Sequence, residues 1–308
     1  MDIRRLPAGQ GLVWFRQAID LGAKNPRAVF GAGMLLVSSL YMAVSAMALV
    51  LSLLIGDERA DGQLPDMKLL MLVALALALL IMFLVPILLG GLMHVVRAVE
   101  AGHPVRARDL FAPLCSQSGQ GLAWLGLVQV LLAVVGGGLV VALAGVGYWQ
   151  DYLKAVEVVM RGGTPEMQGP AHPGLLFVVQ MVFNYFSYAL LLYSIPLMLF
   201  SGCRLLPALG LALRAAVRNA AANLLAATLF IGALVIGALV AALVSALLAV
   251  LGGAIHPVLG NLLAALVMLG FACAALVLVS GAAFLAWRDT FGEGESPLPN
   301  SPSHQIEA

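Results

Sequence analysis

AAANLLAATLFIGALVIGALVAALVSALLAVLGGAI, residues Ala220–Ile255, contains no acidic or basic side chain. The charge-free run is longer still, because no Asp, Glu, Lys or Arg occurs over the 69 residues from Asn219 to Trp287. A water-soluble domain needs charges on its outer face, whereas the hydrocarbon core of a bilayer needs about 20 apolar residues for each helix that crosses it. The run is long enough for two membrane-spanning helices, and His256-Pro257 marks a turn between them.

The whole chain has the same character. Hydrophobic residues make up 62% and charged residues 10% of the chain, against about 25% charged residues in an ordinary soluble domain. Lipid forces apolar runs into helices, because only a helix satisfies its own backbone donors and acceptors there. We predict an all-α protein, a polytopic transmembrane helical bundle at 27–288 between a cytoplasmic amphipathic segment (1–26) and a disordered cytoplasmic tail (289–308). Its six spans are predicted at about 28–55, 69–96, 122–148, 175–203, 220–255 and 262–287.

The distribution of Lys and Arg predicts the orientation of the bundle. With the amino terminus in the cytoplasm, twelve of the 16 basic residues fall on the cytoplasmic side and four on the other. Because an excess of Lys and Arg marks cytoplasmic loops, both termini are expected in the cytoplasm.

The chain has the pattern of one unit used three times, a short amphipathic stretch followed by two spans. The stretch is best defined at Leu12–Lys24 and at Arg204–Asn219, whereas Arg106–Leu114 is limited by Pro113. Such helices either cap the bundle or lie flat in the headgroup layer. Their basic residues are the expected contacts with anionic lipid: Arg16, Lys24, Arg204, Arg214 and Arg218.

Span five carries a small side chain at every fourth position. A second backbone can approach such a face closely, and this kind of contact holds helices together in lipid. The row predicts helix packing, against a helix of this chain or of a second copy, through Ala233, Gly237, Ala241, Ser245, Ala249 and Gly253.

Span four is the most polar of the six. A buried amide without a partner costs several kcal/mol in lipid, so its polar side chains are expected to face protein or water. Two hypotheses fit, namely interhelical hydrogen bonds or the lining of a polar cavity for a headgroup or small solute. The candidate cavity residues are Gln180, Asn184, Tyr188 and Ser187 of span four, Gln129 of span three and His94 of span two.

The sequence contains no catalytic or metal-ligand motif, and no cofactor is predicted. No charged residue lies deep in a predicted span, as a proton pump would require. A net charge of +1 also gives no overall basic field for nucleic acid. The expected partners are therefore membrane lipids, together with either a second copy or another membrane protein.

Four short features carry a family resemblance: Lys24-Asn25-Pro26, Pro86 with Gly90-Gly91, Pro196 with Gly202, and Leu205–Asn219. Through them the chain, from about Leu12 to Arg288, resembles bacterial six-span inner-membrane proteins related to the membrane domain found with some glycerophosphodiester phosphodiesterases. The catalytic chemistry of those fused proteins resides in a separate soluble barrel, so no catalytic residue carries over. The resemblance implies a bacterial inner-membrane location and a connection with lipids.

Two functions are carried forward from the sequence. The first is a non-enzymatic integral membrane protein with a scaffolding or lipid-associated role. The alternative is a permease or channel-like carrier of a small solute or lipid, with its path lined by span four. Transporters commonly show two inverted repeats and a charged midplane site, which makes three repeats without such a site a poorer match to the alternative.

Overall fold

The computed structural model describes residues 2–55, 67–115, 117–160, 163–165 and 169–292. Every regular element within these residues is helical, so the all-α prediction is confirmed. The elements of the described chain are α1 (Gln10–Lys24), α2 (Pro26–Ile55), α3 (Met67–Glu100), a 3-10 helix (Ala107–Cys115), α4 (Gln117–Ala144), α5 (Val146–Met160), α6 (Pro173–Phe200), α7 (Leu205–Arg218), α8 (Ala220–Gly253) and α9 (Pro257–Phe291).

Six of the described helices, α2, α3, α4, α6, α8 and α9, are long and apolar enough to cross a membrane. Helix α8 has 34 residues and is about 51 Å long, which exceeds the ~30 Å hydrocarbon core. On its outer surface, Leu239, Leu243 and Val250 are 67%, 73% and 72% exposed. A surface of this kind is stable against lipid rather than water. The chain is a multi-pass integral membrane protein, and the six-span prediction is confirmed.

The order of elements follows the predicted plan of a short helix and two spans. It runs α1, α2, α3, then the 3-10 helix, α4, α6, then α7, α8, α9. The middle set differs because its short helix is a 3-10 helix with Pro113 inside, and because α5 lies between its two spans. Proline lacks the N–H that an α-helix interior needs, which explains why no full amphipathic α-helix forms there.

The chain divides into two compact units. The first comprises Met1–Ser38, Leu89–Ala112 and Gly210–Ala308, and the second comprises Ser39–Leu88 and Pro113–Leu209. In the first unit, α8 and α9 form a helical hairpin and α1 packs on both helices. In the second unit, α4 packs on α6 and α5 contacts α4.

Helix α1 lies lengthwise along α9. A Cβ built on Gly281 would lie 3.6 Å from the Cβ of Ala18, and a Cβ built on Gly22 would lie 3.7 Å from Val277. Residue numbers on α9 fall as those on α1 rise, so the two helices run antiparallel.

The same helix also follows α8, where the ring centroids of Phe15 and Phe230 are 5.0 Å apart. Trp14, Ala18 and Leu21 are only 1%, 0% and 4% exposed, so the apolar face of α1 is buried against α8 and α9. Of the two arrangements open from sequence, the structure has α1 packed in the groove between α8 and α9.

Most helix boundaries differ from the predicted span boundaries by a few residues, and two of the differences have a clear local cause. Span three was predicted to reach 148, but α4 ends at Ala144 because Gly145, with φ +94°, turns the chain before α5 begins. The tail was predicted from 289, but α9 continues to Phe291 because polar side chains of its last turn are bonded to other elements. The rest of the predicted tail, 293–308, lies outside the described residues.

Candidate functional site

A cluster of polar side chains joins the ends of α1, α3 and α9. We call it the Arg288 cluster; its members are Gln10, Trp14, Gln17, Glu100, Arg288 and Asp289. Asp289 Oδ2 accepts hydrogen bonds from Gln10 Nε2 at 2.7 Å and from the indole Nε1 of the buried Trp14 at 2.9 Å. One carboxylate therefore fastens the first turns of α1 to the last turn of α9.

Arg288 connects this anchor to α3. Its Nη1 donates to Glu100, its Nε donates to Asp289 at 3.0 Å, and its Nη2 reaches the Gln17 side-chain oxygen at 3.5 Å. The side chains of Arg288, Glu100 and Asp289 are 37%, 21% and 17% exposed. Partly buried charges of this kind are stable because each is hydrogen-bonded to others, and removing one member would leave a buried charge uncompensated.

Two clefts open beside the Arg288 cluster, each of about 300 Å³. The first is lined by Arg97, Glu100, Ala101, Phe284, Trp287 and Arg288. The second is lined by His94, Arg97, Ala98, Ala101 and His103. The two clefts share Arg97 and Ala101, and their volume is at the low end of the range for small-ligand sites.

A second polar contact holds the segment before α1. Asn219, 1% exposed, accepts from the Leu6 N–H at 2.9 Å and donates to the Arg4 carbonyl at 3.0 Å and to Thr290 Oγ1 at 3.3 Å. The Arg4 N–H in turn donates to the Thr290 carbonyl at 2.9 Å. Asn219 is the N-cap residue of α8, but its side chain makes no capping bond and instead joins the amino-terminal segment to the end of α9.

The predicted packing row of span five meets α9 of the same chain. A Cβ built on Gly237 would lie 2.9 Å from the Phe271 ring, and Ser245 Oγ donates to the Ala264 carbonyl at 3.2 Å. Further along, Ala249 lies directly against Gly260. Of the remaining members, Ala233 and Gly253 are partly exposed and Ala241 is buried.

The candidate polar residues of α6 are bonded mainly within that helix. Gln180 Nε2 donates to Asn184 Oδ1 at 3.3 Å, and Ser187 Oγ donates to the Phe183 carbonyl at 2.9 Å. Tyr188 is 63% exposed. The polar cavity stays a prediction, because these bonds neither require it nor exclude it.

Gln129 lies in the same unit as α6, whereas His94 lies in the other unit. Gly121 faces Met198 and Gly136 faces Phe183, so α4 and α6 run antiparallel and Gln129 is level with residue 190 or so of α6. That level is about 9 Å along the axis from Asn184. Gln129 Oε1 is buried and has no hydrogen-bond partner among the described residues. His94 belongs to the first unit, where it lines the second of the two clefts.

All five residues predicted to contact anionic lipid are exposed: Arg16, Lys24, Arg204, Arg214 and Arg218. On α1, Arg16 and Lys24 lie outside the buried face that packs on α8 and α9. None of the five forms an ion pair with a residue that the structure describes.

Sequence reasoning missed the residues that join the elements of the first unit, above all Glu100, Asp289 and Asn219. The sequence does contain a signal for Asp289, because an acidic residue two positions after an apolar span departs from the basic bias predicted for that side and is expected to need a partner. Glu100 has the same signal, three residues after Arg97. The sequence contained no comparable signal for Asn219, because an Asn directly before a helix is ordinarily the residue that caps it.

Within the described residues, no group of three or more His, Cys, Asp or Glu side chains is placed to hold a metal ion. In comparisons with protein-family models, curated proteins and solved structures, nothing matches this chain.

Proposed function

We propose that this chain is a non-enzymatic protein of the bacterial inner membrane, with both termini in the cytoplasm, that associates with anionic lipid in a scaffolding or lipid-organising role. The observation that carries the proposal is the arrangement of α1. Its apolar face is buried against α8 and α9, while Arg16 and Lys24 lie outside this face and are exposed.

The electrostatics of this edge favour headgroups. Each Lys or Arg near an anionic leaflet contributes about 1 kcal/mol of attraction, and Arg16 and Lys24 of α1 act together with the three arginines at 204, 214 and 218 to make the effect measurable even after salt screening. Because α1 is held along two spans, Arg16 and Lys24 keep a fixed position relative to α8 and α9. The predicted cytoplasmic orientation would direct them to the leaflet rich in anionic lipid.

The lipid preference can be measured by native mass spectrometry of protein ejected from nanodiscs of equal phosphatidylglycerol and phosphatidylcholine. The wild type is expected to retain more phosphatidylglycerol than phosphatidylcholine. A variant with five Gln substitutions should lose this enrichment: Arg16→Gln, Lys24→Gln, Arg204→Gln, Arg214→Gln and Arg218→Gln. A control variant with Gln at the four basic residues of the opposite side should keep it: Arg59, Lys68, Lys154 and Arg161. Equal retention of both lipids by the wild type would refute the proposal.

Orientation has its own test. A cysteine placed at the exposed Thr164, in a chain with its three native cysteines replaced, is expected to react with a membrane-impermeant maleimide added outside spheroplasts. A cysteine at the exposed Ala8 should react only after the membrane is opened. The reverse pattern would place the termini outside.

A carrier remains the second candidate because of one observation, the buried Gln129 Oε1 without a described partner. Such an acceptor is costly in lipid unless water or a ligand supplies a donor. If α4 and α6 line a polar path, a cysteine at Asn184 should react with the impermeant maleimide, whereas one at the buried Ala189 should not. An unreactive Asn184→Cys would count against the carrier.

A further inference from the structure

Helix α7 has two apolar faces, and they differ in the size of their side chains. The face packed against the protein consists of four alanines that are each 0% exposed: Ala208, Ala212, Ala215 and Ala216. The other face carries larger side chains, and Leu206, Leu213 and Val217 on it are 78%, 44% and 61% exposed. Helix α1 does the opposite, since it buries its large Trp14 and Leu21.

The three exposed residues form one stripe along α7, which we call the α7 stripe. At 100° per residue, positions 206, 213 and 217 fall within about 40° of one another around the helix. Arg214 and Arg218 each follow a member of the stripe directly, so both lie on one edge of it. Both arginines are exposed, and neither forms an ion pair with any residue that the structure describes. The outer surface of α7 is therefore an apolar stripe with a basic edge.

The connections of α7 hold both of its ends near the ends of membrane-spanning helices. Four residues separate the end of α6 at Phe200 from Leu205, and only Asn219 lies between α7 and α8. Four residues reach at most about 14 Å, whereas the 14 residues of α7 are about 21 Å long. These short connections favour a helix that lies along the membrane surface over one that stands upright on it.

An apolar stripe with a basic edge matches the boundary between acyl chains and headgroups. A helix lying at this level places its apolar face about 5–10 Å into the boundary and keeps its charges among the headgroups. Arginine side chains beside the stripe are long enough to reach the phosphates while their apolar stems stay near the hydrocarbon. The guanidinium group also matches phosphate oxygens in geometry and in charge.

A second copy of the chain is a poorer match for the α7 stripe. A symmetric dimer brings the same patch of both copies together, and Arg214 and Arg218 of one copy would lie close to those of the other. Like charges brought together at an interface oppose binding. Anionic lipid supplies the complementary charge together with an apolar phase.

We propose that α7 is an interfacial anchor, with the α7 stripe inserted among the acyl chains of anionic lipid and with Arg214 and Arg218 on the headgroup phosphates. This anchor rests on the proposed lipid-associated function and deepens it, because it names the element that enters the lipid and adds apolar contact to charge attraction. In the proposed orientation, the leaflet concerned is the cytoplasmic one.

The test measures the depth of the α7 stripe by electron paramagnetic resonance. A nitroxide label is attached at Leu213→Cys or at Val217→Cys, in a chain without its native cysteines, in nanodiscs of equal phosphatidylglycerol and phosphatidylcholine. Both labels should collide with oxygen, which concentrates in hydrocarbon, and should lose collisions with the water-soluble complex nickel ethylenediaminediacetate. The control is a label at Ala8→Cys, an exposed position before α1, which should show the reverse preference.

The basic edge is tested by lipid retention in the same nanodiscs. Arg214→Gln combined with Arg218→Gln should lower the enrichment of phosphatidylglycerol measured by native mass spectrometry. The matched control combines Arg59→Gln with Lys154→Gln, which removes the same charge on the side predicted to be opposite, and it should keep the wild-type enrichment. Equal enrichment in both double variants would contradict the binding of headgroups by Arg214 and Arg218.

The labels also distinguish water and protein from lipid. Leu213 and Val217 labels that collide with the nickel complex as readily as the Ala8 label overturn the anchor. Labels shielded from both oxygen and the nickel complex overturn it as well, because protein then covers the stripe, and dipolar broadening of the spectra would identify a second copy. Both substitutions lie at exposed positions, so Tm should stay at the wild-type value. If the labels are exposed to water while the wild type still enriches phosphatidylglycerol, the lipid-associated function stands without this anchor.

Discussion

The packing of α1 along α9 predicts a disulfide between two engineered cysteines, Ala18→Cys and Gly281→Cys. The Cβ of Ala18 lies 3.6 Å from a Cβ built on Gly281, within the range of about 3.5–4.5 Å found in disulfides. The added Cβ meets its neighbours at ordinary van der Waals distances of 3.6–3.9 Å, so Gly281→Cys should not displace α1.

The assay uses a chain whose native cysteines, Cys115, Cys203 and Cys273, are replaced by alanine. In membranes treated with copper phenanthroline, the double variant should become cross-linked, as seen from a mobility shift on non-reducing gels that dithiothreitol reverses. The matched control pairs Gly281→Cys with Ile19→Cys. Ile19 is 49% exposed and is turned about 100° around α1 from Ala18, so this pair should stay reduced.

The outcome separates the two arrangements that amphipathicity allows. An α1 lying flat in the headgroup layer would hold Ala18 away from Gly281, and neither pair would cross-link. Absence of the Ala18–Gly281 cross-link, or equal cross-linking of both pairs, would refute the packing of α1 and with it the basis of the proposed function.

Three further predictions concern stability in detergent, measured as Tm and converted to free energy. Gly237→Leu should destabilise the α8–α9 hairpin by about 1–3 kcal/mol because its Cβ would meet the Phe271 ring, whereas Gly232→Leu, with open space around its Cβ, should not; equal Tm values would contradict the close approach. Asn219→Ala should cost about 3 kcal/mol because three hydrogen bonds are lost at a buried side chain, while Asn261→Ala at an exposed position should cost little; a neutral Asn219→Ala would show that the amino-terminal segment is held by other contacts. Ser194→Ala should leave Tm unchanged or slightly raised, because its fully buried hydroxyl has no hydrogen-bond partner among the described residues; a clear fall in Tm would indicate a bound water or ligand there.

The helices themselves were predictable because lipid leaves the backbone one solution. Once a run such as Ala220–Ile255 is too apolar for water, its donors and acceptors must be satisfied internally, and a helix follows from composition alone. Boundaries were less predictable. The turn at Gly145 and the continuation of α9 through Asp289 depend on a single glycine and on bonds to distant residues.

The candidate sites, like the helix boundaries, could be predicted only as far as local sequence determines them. The row containing Gly237 predicted a helix face, since periodicity defines a face, but α9 as its partner is known only from the contacts with Phe271 and Ala264. For span four, sequence identified Gln180 and Asn184 as polar and left open what they face. In the structure they bond to each other within α6, which a four-residue spacing allows in any helix.

By itself, the sequence determined that lipid surrounds most of this protein, how many helices span the membrane, and which helix faces carry small or basic residues. These are local properties, fixed by composition and by the 3.6-residue period. Tertiary structure alone decided that α1 packs between α8 and α9, that Asp289 fastens it there, and that Arg97 lines a cleft with Trp287. The physical reason is separation along the chain: Trp14 and Asp289 are 275 residues apart, and no local pattern records which distant side chain satisfies a buried polar group.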